Sequence, residues 1–172
     1  MQGYLCATNK DMDLKNTVAI LGANSRLGSL IAKGISKKFR LLLMDEQLQQ
    51  LTALANEIAV INSTATTEVI QCCKDASWEA DIIIVVADIA TQAAIAGKIK
   101  EVATCKTVIN IGTSANCSKT LQQLLPHSKV VTILITGDID EPDLALASIE
   151  GTDDAAKNIV VEMMQLIGLG VA

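Results

Sequence analysis

Aromatic residues make up only 2% of this chain, and Tyr4, Phe39 and Trp78 are their sole representatives. A surface that stacks the bases of single-stranded nucleic acid, or a flavin ring, needs more aromatic faces than these three supply. Basic residues are also in deficit. Fourteen Lys and Arg against 19 Asp and Glu give a formal charge of −5, with a sequence pI near 4.8. Such a balance gives no general affinity for nucleic-acid phosphate, so no nucleic-acid partner is expected and any bound phosphate must be held locally. No segment reaches about 18 uninterrupted apolar residues, which excludes a simple membrane-spanning helix. The start, Met1–Asn16, carries Lys10, Asp11, Asp13 and Lys15 and has no apolar run of signal-peptide length. A protein of the cytoplasm without a membrane partner is the expectation. The cysteines Cys6, Cys72, Cys73, Cys105 and Cys117 are odd in number and lack paired metal-ligand spacing, so no metal site is expected. They read as reduced thiols filling small apolar sites. Pro126 and Pro142 are the only prolines, and no linker, low-complexity tract or repeat is visible.

What is present is apolar and ordered in rhythm. With 172 residues, half of them apolar, the chain can bury one sizeable core and is too short for two full domains. Short Val- and Ile-rich runs alternate with longer amphipathic stretches from Thr17 onward, the pattern of a parallel sheet covered on both faces by crossover helices. Strands are predicted at Thr17–Leu21, Arg40–Met44, Ala59–Asn62, Asp81–Val86, Thr107–Ile111, Val130–Ile135 and Leu144–Ile149. Helices are predicted at Leu27–Lys37, Glu46–Glu57, Thr66–Lys74, Thr91–Ala103, Lys119–Leu125 and Asp153–Ile167. In the last of these, Ile159, Val160, Met163, Met164 and Ile167 fall at helical spacing. Residues 1–16 are expected to form a loosely ordered extension and 17–172 a single domain.

The segment Val18-Ala-Ile-Leu-Gly22-Ala-Asn-Ser-Arg-Leu-Gly28-Ser runs from an apolar strand through a turn of small residues into a helix. Gly22 can take a tight turn closed to residues with a Cβ. Gly28 lets the first helix approach the strand, so that its N-terminus presents free amides to a pyrophosphate. The usual middle glycine is replaced by Ser25, which would have to donate its amide or hydroxyl without crowding the phosphate. Arg26, one of two arginines, sits where it could add charge to that site or lie in solvent. Gly22, Asn24, Ser25, Arg26, Leu27 and Gly28 are therefore the candidate pyrophosphate contacts. Asp45 follows the second strand 23 residues after Gly22, near the spacing at which a carboxylate accepts from adenosine ribose hydroxyls. A carboxylate there repels a 2′-phosphate, and Glu46 strengthens the repulsion, so the expected cofactor is NAD or NADP with NAD favoured. Against this stands the plainer reading: turn and packing glycines, and acidic residues that merely start a helix. The fold class that unites these features is α/β, a three-layer Rossmann fold with a doubly wound, mostly parallel sheet.

Gly22-Ala-Asn-Ser-Arg-Leu-Gly28, Ala80-Asp-Ile-Ile-Ile-Val-Val86, Thr107-Val-Ile-Asn-Ile111 and Gly151-Thr-Asp-Asp-Ala-Ala-Lys-Asn158 occur in one order. With them the chain resembles the deazaflavin-coenzyme-dependent NADP oxidoreductases over about Thr17 to Leu169. It is also similar to the cytosolic reductase domain of the six-transmembrane metalloreductases. The resemblance implies a nicotinamide dinucleotide and an oxidoreductase activity. Relatives that use NADP carry a Ser/Thr- and Arg-rich cluster after the second strand, where this chain has Asp45-Glu46-Gln47, so their NADP preference does not carry over. The family's prolines after the fourth and fifth strands are replaced by Ala87-Asp88 and Gly112-Thr113-Ser114. Relatives continue past the last helix to build the substrate side. A substrate pocket is thus expected from a homodimer mate or partner subunit, or not at all.

The nicotinamide should lie across the carboxyl ends of the strands, which directs attention to Ala87–Asp88, Gly112–Ser114 and Thr136–Asp138. Ala87, Asp88 and Gly112 join the candidate cofactor contacts. Asp88 could orient a substrate or simply cap the next helix. The only histidine, His127, reads equally as a surface residue or a proton donor, and no catalytic residue is assigned. Hydride transfer needs position and a dry site more than an ionising side chain, so a missing acid–base set does not exclude an oxidoreductase. The acidic run Asp138-Ile-Asp140-Glu141 with Asp143 lacks a calcium-loop pattern and reads as a solvated loop. Hydride transfer to an unidentified acceptor and a non-catalytic NAD-binding sensor or regulatory module are the two ligand-binding readings, and a structural Rossmann domain that has lost its ligand is the third.

Overall fold

Every residue of β1 (Thr17–Leu21) is buried, because this strand is paired on both sides and covered on both faces. In the computed structural model, which describes residues 16–112, 117–141 and 145–172, β1 lies parallel between β2 (Arg40–Met44) and β4 (Ile82–Val86), with Val18 opposite both Leu41 and Ile82. From β2 the sheet extends to the short edge strand β3 (Thr67–Val69), and from β4 through β5 (Thr107–Gly112) to β6 (Lys129–Thr136), all parallel. An antiparallel β7 (Leu146–Gly151) and a two-residue β8 (Gly170–Val171), parallel to β7, complete the order β3-β2-β1-β4-β5-β6-β7-β8. The chain first winds outward through β2 and β3, then restarts on the other side of β1. That reversal between β1 and β4 opens a crevice at the carboxyl ends of the strands.

Alternation along the strands sorts the core into two layers. Val18 and Ile20 pack with α1 (Arg26–Ile35), α2 (Leu48–Ile61) and α6 (Asp154–Leu166) through Ile31, Leu51, Ile58, Val160 and Met163. Ala19 and Leu21 point the other way, to α3 (Cys73–Glu79), α4 (Ile89–Ile99) and α5 (Cys117–Leu124). Each fully buried Leu or Ile contributes roughly 1.5–3 kcal/mol, and neither face of β1 is left wet, which explains its uninterrupted apolar run. The three-layer, doubly wound, mostly parallel architecture is the one the sequence implies.

Local boundaries depart most from expectation between Ala59 and Lys74. The predicted strand Ala59–Asn62 is the last turn of α2, which continues to Ile61 with Val60 87% exposed. Leu51, Leu54 and Ile58 keep their helical spacing, and that period outweighs the β-branched residues at the end. The third strand comes later, at Thr67–Val69, inside the segment predicted as helix Thr66–Lys74, and α3 begins only at Cys73. β8 has no counterpart among the predicted strands. The cysteines also divide. Cys73 is buried as expected, but Cys72 and Cys105 are exposed and fill no apolar site, while the side chains of Cys6 and Cys117 lie outside the described residues. Residues 1–15 of the expected 1–16 extension, Thr113, Ser114 and Asp143 are outside them too. Among the described residues no helix is long and apolar enough to cross a membrane, and no cluster suited to a metal ion occurs.

Candidate functional site

The turn between β1 and α1 owes its shape to contacts with β2. Gly22 and Ala23 both donate their N–H groups to the Met44 carbonyl, at 2.9 and 3.2 Å, and the Asn24 N–H donates to Asp45 Oδ2 at 3.0 Å. Gly22 adopts φ +93°, and a Cβ there would stand 2.2 Å from the Val86 carbonyl oxygen of β4. Only glycine fits between the two strands with that backbone. A Cβ on Gly28 would meet the Gly22 carbonyl oxygen at 2.3 Å, so this glycine sets how closely α1 approaches the turn.

Ser25 caps α1. Its Oγ accepts the Gly28 N–H at 3.0 Å and donates to the Gly22 carbonyl at 2.8 Å. The hydroxyl that replaces the middle glycine therefore serves its own helix, with neither of its roles directed to a ligand. After these bonds, the amides of the turn with no acceptor among the described residues are those of Arg26 and Leu27, at the start of α1. They are the donors an anion at this helix end would find. The Arg26 guanidinium pairs with Asp140 in the loop after β6, and both side chains are exposed. The other arginine, Arg40, is held by Glu68 and Glu79 at the opposite end of β2, and those hydrogen bonds raise its pKa.

Two clefts meet over this turn. One, of about 630 Å³, runs from Asp45 and Glu46 past Met44 and Cys73 to the face of α4 carrying Thr91, Ala94, Ile95 and Lys98. The second, of about 860 Å³, is bounded by Arg26, Leu27, Ile111, Gly112, Ile135 and Ile139. Ser25, Val86, Ala87, Asp88 and Ala90 line both, so the clefts form one groove across the carboxyl ends of β2, β1, β4, β5 and β6. Asp88 stands at the junction. It caps α4 by accepting the Thr91 N–H at 2.7 Å, and the Thr91 amide holds its carboxyl below the usual range.

Ser25, Arg26, Leu27, Ala87, Asp88 and Gly112 line the groove, and Gly22 and Asp45 join them at the cleft beside β2. Asn24 does not. Its side chain turns to a separate recess with Ser29, Lys33 and Glu57, and its amide donates to the Gln47 carbonyl at 3.0 Å. Gly28 is a packing residue beneath the turn. Exposed His127 lies in the connection that precedes β6, at the amino-terminal end of the strands and away from the groove, where its carbonyl accepts the Cys105 N–H at 2.8 Å. Trp78 is 73% exposed on α3 and Phe39 is buried, so neither forms a wall of the groove. Ile135, Ile139, Ala94, Ile95 and Lys98 were not anticipated. Thr91, Ala94, Ile95 and Lys98 share one helical face, yet nothing local says which face of α4 meets the groove.

No family model matches the chain, and no curated protein matches it. Solved structures do share the fold. A pyrroline-5-carboxylate reductase from Coxiella burnetii superposes with a TM-score of 0.70 at 14% identity, over 91% of this chain and 58% of that one. A 3-hydroxyisobutyrate dehydrogenase from Mycobacterium tuberculosis, solved with L-serine, gives 0.75 at 12% identity, over 92% of this chain and 54% of that one. An Arthrobacter protein described as a deazaflavin-dependent NADP reductase gives 0.68 at 17% identity, over 90% of this chain and 82% of that one. The chain spans 58% and 54% of the first two, a little over half of each. At such identities the likeness is one of fold alone: this chain has a Rossmann fold.

Proposed function

We propose that residues 17–172 bind a nicotinamide dinucleotide and support hydride transfer between it and an unidentified acceptor. The observation that carries this reading is the continuous groove, with carboxylates at one end, free helix amides in the middle and an apolar slot at the other. A dinucleotide has the matching sequence of parts: a ribose diol, a pyrophosphate and a flat nicotinamide ring. Asp45 and Glu46 favour NAD over NADP, since a 2′-phosphate would approach two carboxylates. The pyrophosphate would rest on the Arg26 and Leu27 amides, with the Arg26 guanidinium able to leave Asp140 for it. The nicotinamide would lie among Ile111, Gly112, Ile135 and Ile139. The cofactor supplies the hydride chemistry, and these side chains orient the ring and exclude water.

A non-catalytic NAD-binding module is the second reading. It is favoured by the lining of the larger cleft, where Ser25, Arg26 and Asp88 are the only hydroxyl or charged side chains among the described residues and each is already engaged. A homodimer mate or partner subunit completing the nicotinamide end, and a cytoplasmic location, are part of the proposal. The likeness to the six-transmembrane metalloreductase domain is proposed on the motifs quoted above alone.

Calorimetric titration of NAD, NADH, NADP and NADPH into the wild type and an Asp45→Ala variant tests the site. NAD(H) binding that weakens in the variant supports it, and turnover of NADH with an acceptor separates enzyme from module. Silence from all four dinucleotides sinks the proposal.

A further inference from the structure

At the β2 end of the groove, the carboxylate expected to read the ribose is already committed. Asp45 Oδ2 accepts the Asn24 N–H at 3.0 Å and Oδ1 accepts the Glu46 N–H at 2.8 Å, so both oxygens hold backbone. In the same cleft, Thr91, Ala94, Ile95 and Lys98 follow one another at spacings of three, one and three residues and form a wall contributed by α4. The middle of that wall is apolar, suited to an adenine ring, and its far end is an ammonium group. Lys98 makes no ion pair with any described residue, although Asp45 and Glu46 line the same cleft. The Lys98 charge does reach the interior of the cleft. Burial pushes the Cys73 thiol up, and Lys98 draws it part of the way back.

We infer that Lys98 is a specificity-determining residue at the adenosine end, where its ammonium offsets Asp45 and Glu46 and lets the groove accept a 2′-phosphorylated adenosine ribose. The inference rests on the dinucleotide reading above. Cation and carboxylates line the same cleft without closing an ion pair, and a ribose carrying a phosphate is a group that can bridge them. The phosphate meets the ammonium, and the remaining hydroxyl meets the carboxylate side. Lys98 is exposed, so the attraction is screened by solvent and modest in size. The preference for NAD is narrowed by Lys98, not reversed.

The experiment is calorimetric titration of NAD and NADP into the wild type, Lys98→Met and Lys98→Glu, at low and high salt. Methionine is a good helix former on an exposed position, so the fold is retained. Lys98→Met is expected to weaken NADP about fivefold and Lys98→Glu more than that, with NAD changed less than about twofold. In the wild type, added salt should lower NADP affinity more than NAD affinity. Equal effects on both cofactors, or none on either, overturn the role of Lys98 while leaving the dinucleotide site standing. A wild type that binds neither cofactor overturns both.

Discussion

Asp45 Oδ2 accepts the backbone N–H of Asn24 at 3.0 Å, joining the end of β2 to the turn that leads into α1. A residue whose spacing marks it as a candidate ribose reader is thus also the brace of the turn between β1 and α1. Charge-assisted bonds of this kind contribute about 1.5–3 kcal/mol, and without one the Asn24 amide is left unpaired beside β2. Asp45→Ala is therefore expected to weaken NAD and NADP together, by about tenfold or more, and to lower the melting temperature. Calorimetry on both cofactors checks it. A gain in NADP affinity would show that repulsion of a 2′-phosphate, not bracing, is the main role of Asp45.

The middle position of the turn gives the opposite prediction. The Ser25 hydroxyl occupies the Gly28 N–H and the Gly22 carbonyl, and Ser25 lines the groove beside α1, on the path of the proposed pyrophosphate. Ser25→Gly removes the side-chain bulk and loses only a few tenths of a kcal/mol of capping. Dinucleotide affinity is expected to rise severalfold in titration. If it falls instead, the hydroxyl itself holds the phosphate.

Gly22 allows no substitution. Its φ of +93° disfavours any L side chain, and the Val86 carbonyl oxygen stands 2.2 Å from where a Cβ would be. Gly22→Ala must push β4 and the turn apart, costing roughly 2–3 kcal/mol and lowering the melting temperature by roughly 5–10 °C. Scanning calorimetry of the variant reads both quantities. An unchanged melting temperature would mean that the turn is free to relax, and the tight strand–turn contact would have to be abandoned.

Acid should loosen the C-terminal helix. Asp153 caps α6 by accepting the Ala156 N–H at 2.8 Å and pairs with Lys129 at 3.1 Å. The Ala156 amide, then the Lys129 contact, hold its carboxyl below the usual range. A depressed folded-state pKa contributes stability that is present above the unfolded value, near pH 4, and lost as pH falls through the folded value. Urea titrations between pH 7 and about pH 3 are expected to show this loss in the wild type and a flatter profile in Asp153→Asn. Equal pH slopes in the two proteins would remove Asp153 from the account.

Much of this molecule is written in local pattern. The uninterrupted run at Val18–Leu21 demanded two-sided burial, and a small-residue turn ending in Gly28 demanded a close helix approach, because each depends only on neighbours in the chain and on backbone sterics. The segment from Ala59 to Lys74 was misread for the complementary reason. Val60 and Ile61 have strand-like side chains, but Leu51, Leu54 and Ile58 anchor a helix in the core that runs on to an exposed Ile61, and β3 is a short edge whose pairing with β2 supplies what its own residues do not. Packing alone decided that the Asp45 carboxylate would be taken up by the Asn24 amide. It also decided that Arg26 would meet Asp140, and that the Lys98 face of α4 would front the groove. Those pairs lie far apart in sequence, and only the order of strands in the sheet brings them within reach.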